Sequence, residues 1–310
     1  MVITSLKTGF QRGWSAKRMI LIYFLANLFC GVVLALPLRG LLGSTINGTL
    51  LGEALGGRID MNFFMDFVNH HSDFWKTWQL LAIGAAIFYL LTNIFLSGGA
   101  LSVFGSEERY STTLFWSGAA KYFGRFLRLW LMALPVFGIF FLIMFVEKGV
   151  TRLVFGADPY QSVTYWAGWV RTGLMGLAVI LAHMFFDYAR IYSVLHDENR
   201  MRRAWWMGLK FMFGNLGKAA LLVVFIGLLG IVVMAIYNLL ANQLAAANAF
   251  VVIMLILIQQ AYMLFRMFMK LSTFAAQTAF YQAASMSAPA ADTPSAASEV
   301  AGEMPEGLPA

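Results

Sequence analysis

The chain has 310 residues, 60% apolar and 12% charged, with a mean hydropathy of +0.72, which is more apolar surface than a water-soluble domain of this size buries. Its net charge of +7 is carried between apolar runs and not as a patch on a polar surface, which excludes a nucleic-acid footprint. A single cysteine, Cys30, excludes an intramolecular disulfide.

Lys7, Arg12, Lys17 and Arg18 precede an apolar run from Met19 to Leu38 that is too long for a signal-peptide core and has no small-x-small cleavage site near Pro37 and Arg39. It reads as a retained signal anchor. No lipidation or retention motif stands at either end. Further spans are expected at 78–101, 127–146, 170–190, 219–240 and 249–270, so with 19–38 there are about six. Each approaches the 20 or so residues that cross roughly 30 Å of hydrocarbon.

Between the first two spans, the outer loop 39–77 carries Gly43, Gly48, Gly52, Gly56 and Gly57, then MNFFMDFVNHH, which suggests a short helix on the outer surface. His70, His71 and Asp73 there have metal-ligand chemistry, but a solvated loop accounts for them. The sequon at Asn47, Gly48 and Thr49 is read as chance.

Lys7, Arg12, Lys17, Arg18, Arg109, Lys121, Arg125, Arg128, Arg190, Arg200, Arg202, Arg203, Lys210, Lys218, Arg266 and Lys270 fall on one side of this arrangement, sixteen of the 22 basic residues. Arg39, Arg58, Lys76, Lys148, Arg152 and Arg171 fall on the other. The positive-inside bias therefore predicts a multi-pass protein of a bacterial inner membrane with both termini cytoplasmic. Trp14, Trp116, Trp130, Trp205 and Trp206 then lie at the inner interface, and Trp75, Trp78, Trp166 and Trp169 at the outer one, as amphipathic indoles should.

A basic, aromatic segment precedes each odd-numbered span, at Leu6 to Arg18, Leu114 to Arg128 and Trp205 to Lys218. Aligning Gly9, Gly118 and Gly208 superimposes Leu6, Phe115 and Trp205; Phe10, Ala119 and Leu209; and Trp14, Phe123 and Phe213. These offsets predict one helical face. Lys7, Gln11, Ser15 and Arg18, and likewise Ser117, Lys121, Arg125 and Arg128, mark the opposite face of a helix lying in an anionic interface. Gly124 also matches Gly214, and Glu107 and Glu108 match Asp197 and Glu198, which suggests duplication. The expected fold is an all-α polytopic membrane protein: three repeats of interfacial helix plus two spans over 1–282, then a disordered cytoplasmic tail over 283–310, rich in alanine, proline and serine.

The segments SGGALSVFGSEERYSTTLFWSGAAKYFGRFLRL (97–129) and DYARIYSVLHDENRMRRAWWMGLKF (187–211) resemble a poorly characterised group of bacterial six-helix integral membrane proteins. That group is similar in pattern to the membrane-anchor domain attached to some glycerophosphodiester phosphodiesterases. The resemblance implies a fold. The chain has no room for the phosphodiesterase barrel, so the activity does not come with it.

A charge at the bilayer centre costs roughly 2.5–3.5 kcal/mol on insertion scales, so charges inside spans need an explanation. Asp187 lies near the inner end of span four, where Arg190 or Arg266 could neutralise it; His183, one turn earlier on the same face, could share a proton or metal with it. Structural pairing and helix packing are the weightier explanations. Asn27, Asn93, Gln259 and Gln260 suit interhelical hydrogen bonds, and Thr172, Gly173, Gly176, Ala178, Ala182, Gly227 and Gly230 suit close helix packing. The candidate polar cluster is thus His183, Asp187, Arg190, Gln259 and Arg266.

There is no GxxxxGK[ST], HExxH or GxSxG motif, and the sequence assigns no catalytic, cofactor-binding or metal-ligating residue. The leading expectation is a non-catalytic scaffold or accessory subunit, without a cofactor, whose partners are membrane lipids with anionic headgroups at the cytoplasmic surface and another membrane protein. The alternatives are a transporter or lipid-handling protein, built on the polar groups of spans four and six, and a membrane-embedded enzyme using His183 and Asp187.

Overall fold

The computed structural model describes residues 1–46, 61–106, 110–156, 160–244 and 249–287, and the regular structure among them is entirely helical. In chain order the helices are α1 (Val2–Ser15), α2 (Lys17–Ile46), α3 (Met61–His70), α4 (Ser72–Gly105), α5 (Thr112–Leu131), α6 (Leu134–Phe155), α7 (Gln161–Leu195), α8 (Met201–Gly214), α9 (Leu216–Gln243) and α10 (Ala249–Ser287). Five of them, α2, α4, α7, α9 and α10, are long and apolar enough to cross a membrane. The sequon at 47–49, Arg58, the acidic pair Glu107 and Glu108, Arg109 and the tail beyond 287 lie outside the described residues.

Several boundaries differ from the sequence reading: α4, α7 and α9 extend beyond the expected spans at both ends, α7 by nine residues at its start, and three differences change the arrangement. The apolar stretch 127–146 is not one helix: α5 ends at Leu131, and α6 starts afresh at Leu134 with Pro135 in its first turn. Proline has no N–H to donate and fits that first turn, where no intrahelical partner is needed. Conversely, α2 runs through Pro37 to Ile46. And α10 stays helical to Ser287, past the expected limit at 282, because Phe280 and Tyr281 are buried and Gln282 Nε2 donates to the Gly105 carbonyl at 3.4 Å.

With 34, 35 and 39 residues, α4, α7 and α10 are each about 50–60 Å long, well over the roughly 30 Å that hydrocarbon requires. The excess is where the core sits. Their buried side chains gather towards the C-terminal ends, from Ile94 to Phe104, Met184 to Ser193 and Met267 to Tyr281, and the three helices touch one another there.

Each of these long helices carries a short amphipathic one: α5 packs on α4, α8 on α7 and α1 on α10. The close approach occurs at the three aligned glycines. A Cβ at Gly9 would stand 2.5 Å from the Ala276 Cβ, and one at Gly208 would stand 2.7 Å from the backbone N and Cα of Ala189. Gly118 likewise meets Ser102 and Gly98. The buried stripe runs through Ser5, Gly9 and Gly13 in α1, through Gly118 and Tyr122 in α5, and through Ala204, Gly208 and Met212 in α8. In α1 and α8 it is rotated from the expected face, since Trp14 and Phe213, five positions after the glycine, are both 63% exposed, whereas in α5 the expected Phe115 and Ala119 are fully buried.

Every short helix also reaches the end of a second long helix. Arg12 Nη1 donates to the Phe104 carbonyl of α4 at 3.0 Å. Arg125 of α5 meets Asp197, just past α7, at 2.7 Å. Phe211 of α8 packs on Tyr281 of α10 with ring centroids 4.4 Å apart. The result is a closed collar of α1, α5 and α8 around three helix ends.

Beyond the collar the helices diverge into pairs, with α2 against α4, α6 against α7 and α9 against α10. Few of their side chains are buried. In α9 only Ala219, Leu222 and Ile226 are, all within its first three turns.

Candidate ligand cleft

A cleft of about 680 Å³ opens where the helices leave the collar, bounded by α4, α5, α7 and α10. The α7 wall is one helical face, since Val179, Ala182, His183, Phe186, Asp187 and Arg190 recur every three or four residues. Leu90 and Ile94 of α4, with Leu129 and Trp130 of α5, make apolar walls. Asn93, Lys270 and Thr273 join Asp187 and Arg190 at the polar end.

Asp187 is 9% exposed, and its Oδ1 meets Arg190 Nη2 at 3.1 Å, one turn along the same helix. Arg190 Nε donates to the Phe186 carbonyl at 3.3 Å, which fixes the guanidinium over its own helix. The pair supplies the neutralisation that a buried charge requires.

Lys270 is placed differently. Its ammonium donates to Asn93 Oδ1 and lies 5.0 Å from the centroid of the Tyr23 ring. Asn93 is held for this by its own Nδ2, which donates to the Tyr89 carbonyl at 2.8 Å. Among the described residues no carboxylate lies within ion-pair distance of Lys270. The polar end therefore holds two cations and one anion.

Of the five residues singled out from sequence, the fold brings His183, Asp187 and Arg190 together in the cleft. Of the two partners expected for Asp187, Arg190 is the one that pairs with it; Gln259 and Arg266 are exposed on α10 and do not line the cleft. His183 is exposed at the rim, with no hydrogen bond among the described residues. Asn93 and Lys270 are additions. Lys270 reads from sequence as a basic residue flanking a span; only the continuation of α10 to Ser287 makes it a mid-helix charge, and the STFAAQTAF pattern that follows is the signal for that continuation.

Elsewhere the polar groups form local contacts. His71 Nδ1 lies 3.1 Å from the Phe67 carbonyl and Asp73 pairs with Lys76 at 2.9 Å, which occupies two of the three candidate ligands in that segment. Among the described residues no three His, Cys, Asp or Glu side chains group as a metal site. Asn27 Nδ2 bonds the Tyr23 carbonyl at 3.2 Å and the Met267 sulfur at 3.0 Å, an interhelical link of the expected kind.

Beside the collar, Asp197 is held by Lys121 Nζ at 3.0 Å and Arg125 Nη1 at 2.7 Å, and Tyr122 Oη donates to it at 3.3 Å. Its φ of 47° is a left-handed conformation that aspartate tolerates better than most residues. The hydrogen bond from Lys121, then that from Arg125, holds the Asp197 carboxyl below the usual carboxylate range, and the same bond raises Lys121.

No family model, no curated protein and no solved structure matches the chain.

Proposed function

We propose that the chain is a six-crossing membrane protein that holds an amphiphilic molecule in this cleft, as a lipid-handling or transport component. The observation that carries the reading is that the Asp187–Arg190 ion pair and the Lys270–Asn93 hydrogen bond, with His183 at the rim, line a cleft whose other walls are mostly apolar. Its volume falls within the range of pockets that bury small-molecule ligands.

In this reading α6, with 22 residues and an apolar first half, is the sixth crossing. The three sets of short helix plus two long ones are repeats, as the glycine register suggests, and they belong to the six-helix group that the sequence resembles. The collar lies on the cytoplasmic side of a bacterial inner membrane. Exposed Lys7, Arg18, Lys121, Arg128, Arg202 and Lys210 on α1, α2, α5 and α8 suit contact with anionic headgroups there.

A scaffold or accessory subunit needs only positional charges, and the cleft weighs against that role. Ala182→Trp tests the choice by placing an indole in the cleft. Native mass spectrometry of the full chain should show bound lipid retained by the wild type and lost from the variant. Equal lipid content in both would overturn the reading.

A further inference from the structure

We propose that the cleft selects a phospholipid with a net negative headgroup, whose phosphate lies between Lys270 and Arg190 while its acyl chain follows the apolar walls; this rests on the amphiphile reading above. Charge complementarity carries it. Arg190 is offset by Asp187 at 3.1 Å, whereas among the described residues the Lys270 ammonium makes no ion pair within 4 Å and is met at close range by the neutral Asn93 oxygen and the face of Tyr23. An ammonium offers three donors, and the desolvation of an inadequately paired cation is costly.

The missing partner is therefore an anion able to accept several hydrogen bonds. A phosphodiester oxygen meets that need through charge-assisted bonds, which are stronger than the one to the amide. Arg190 can turn its remaining donors to the same group, and His183 at the rim has a ring free to donate a further bond.

The surroundings favour a lipid over free phosphate. Leu90, Ile94, Leu129, Val179 and Phe186 supply no polar group, and a small hydrated ion would leave most of the 680 Å³ against apolar side chains. An acyl chain lines such walls with apolar contact that a hydrated ion cannot supply. A zwitterionic lipid presents the same phosphate with an added cation, which Lys270 and Arg190 disfavour. Selection by net charge follows.

The test uses the full chain in micelles, titrated with short-chain phosphatidylglycerol, with phosphatidylcholine of the same chains, and with inorganic phosphate, the bound species being counted by native mass spectrometry. Wild type should prefer phosphatidylglycerol by about tenfold or more, the scale of one charge-assisted contact. Lys270→Met should bring the ratio close to one while still binding both lipids, and Lys270→Arg should restore the preference. Equal binding of the two lipids by wild type would overturn the charge selection and leave the amphiphile reading standing. Preference retained in Lys270→Met would also overturn the assignment. If that variant does not fold, the wild-type ratio decides alone. Inorganic phosphate displacing the lipid at equal concentration would make a free anion the ligand, and no binding of either lipid would remove both readings.

Discussion

The collar joins three short amphipathic helices to the ends of three long apolar ones, the pairs are apolar helices throughout, and the two regions bury their residues in opposite ways. In the collar, Phe115, Ala119, Met184, Tyr188, Leu271 and Phe280 are all 0% exposed. Along the pairs, Leu80 is 72%, Phe145 69%, Ile231 63% and Leu239 63% exposed. Exposed apolar surface on that scale would drive aggregation in water, whereas lipid chains solvate it as well as another helix would. Only the short amphipathic helices, with a polar face to turn outward, make a conventional hydrophobic core possible. The difference teaches that folding specificity is concentrated at one end of the molecule.

The largest difference between the two regions is expected at glycine. Gly208→Leu should destabilise the protein by about 3 kcal/mol, at the upper end for overpacking, because the new side chain meets the Ala189 backbone, which cannot rotate away. Gly230→Leu in α9, with no atom within 4 Å of its Cβ position, should change stability by less than about 0.5 kcal/mol. Thermal unfolding in a single detergent measures both; equal losses would abolish the distinction between the two regions.

A smaller effect sharpens it. Asp197 ties the turn after α7 to α5, and Asp197→Asn keeps the left-handed backbone accessible while removing the charge. Exposed ion pairs contribute about 0.2–1 kcal/mol. Since the folded carboxyl titrates below its unfolded value, the contribution is complete above about pH 4 and disappears as pH falls through the lowered folded value. The gap in unfolding temperature between wild type and variant should therefore be widest near pH 7 and narrow as the pH falls below the usual carboxylate range. A gap independent of pH would assign the effect to backbone geometry instead.

Much of this architecture was legible in the residues. Apolar runs located the five long helices, but the close approaches fall at the aligned Gly9, Gly118 and Gly208 and not at Gly173, Gly176, Gly227 and Gly230, which were expected to pack closely and have no atom within 4 Å of their Cβ positions. The rotation of the buried stripe was not legible: Trp14 and Phe213 are apolar enough to suit a core, and only the position of the partner helix turns them outward. In the cleft, Asp187 and His183 stood out as polar groups within a span. Gln259 and Gln260 sit about 100° apart on α10, and composition does not say which turns inward; Gln259 is exposed and the Gln260 Oε1 is buried. Lys270 was hidden by the end assigned to its span.

The proposal that the collar faces the cytoplasm is tested most directly by labelling. With Cys30→Ser removing the only native thiol, Arg202→Cys places a thiol on the exposed face of α8. A membrane-impermeant maleimide should modify it only after the cells are lysed. Modification in intact cells would put the collar on the outer side and contradict the account.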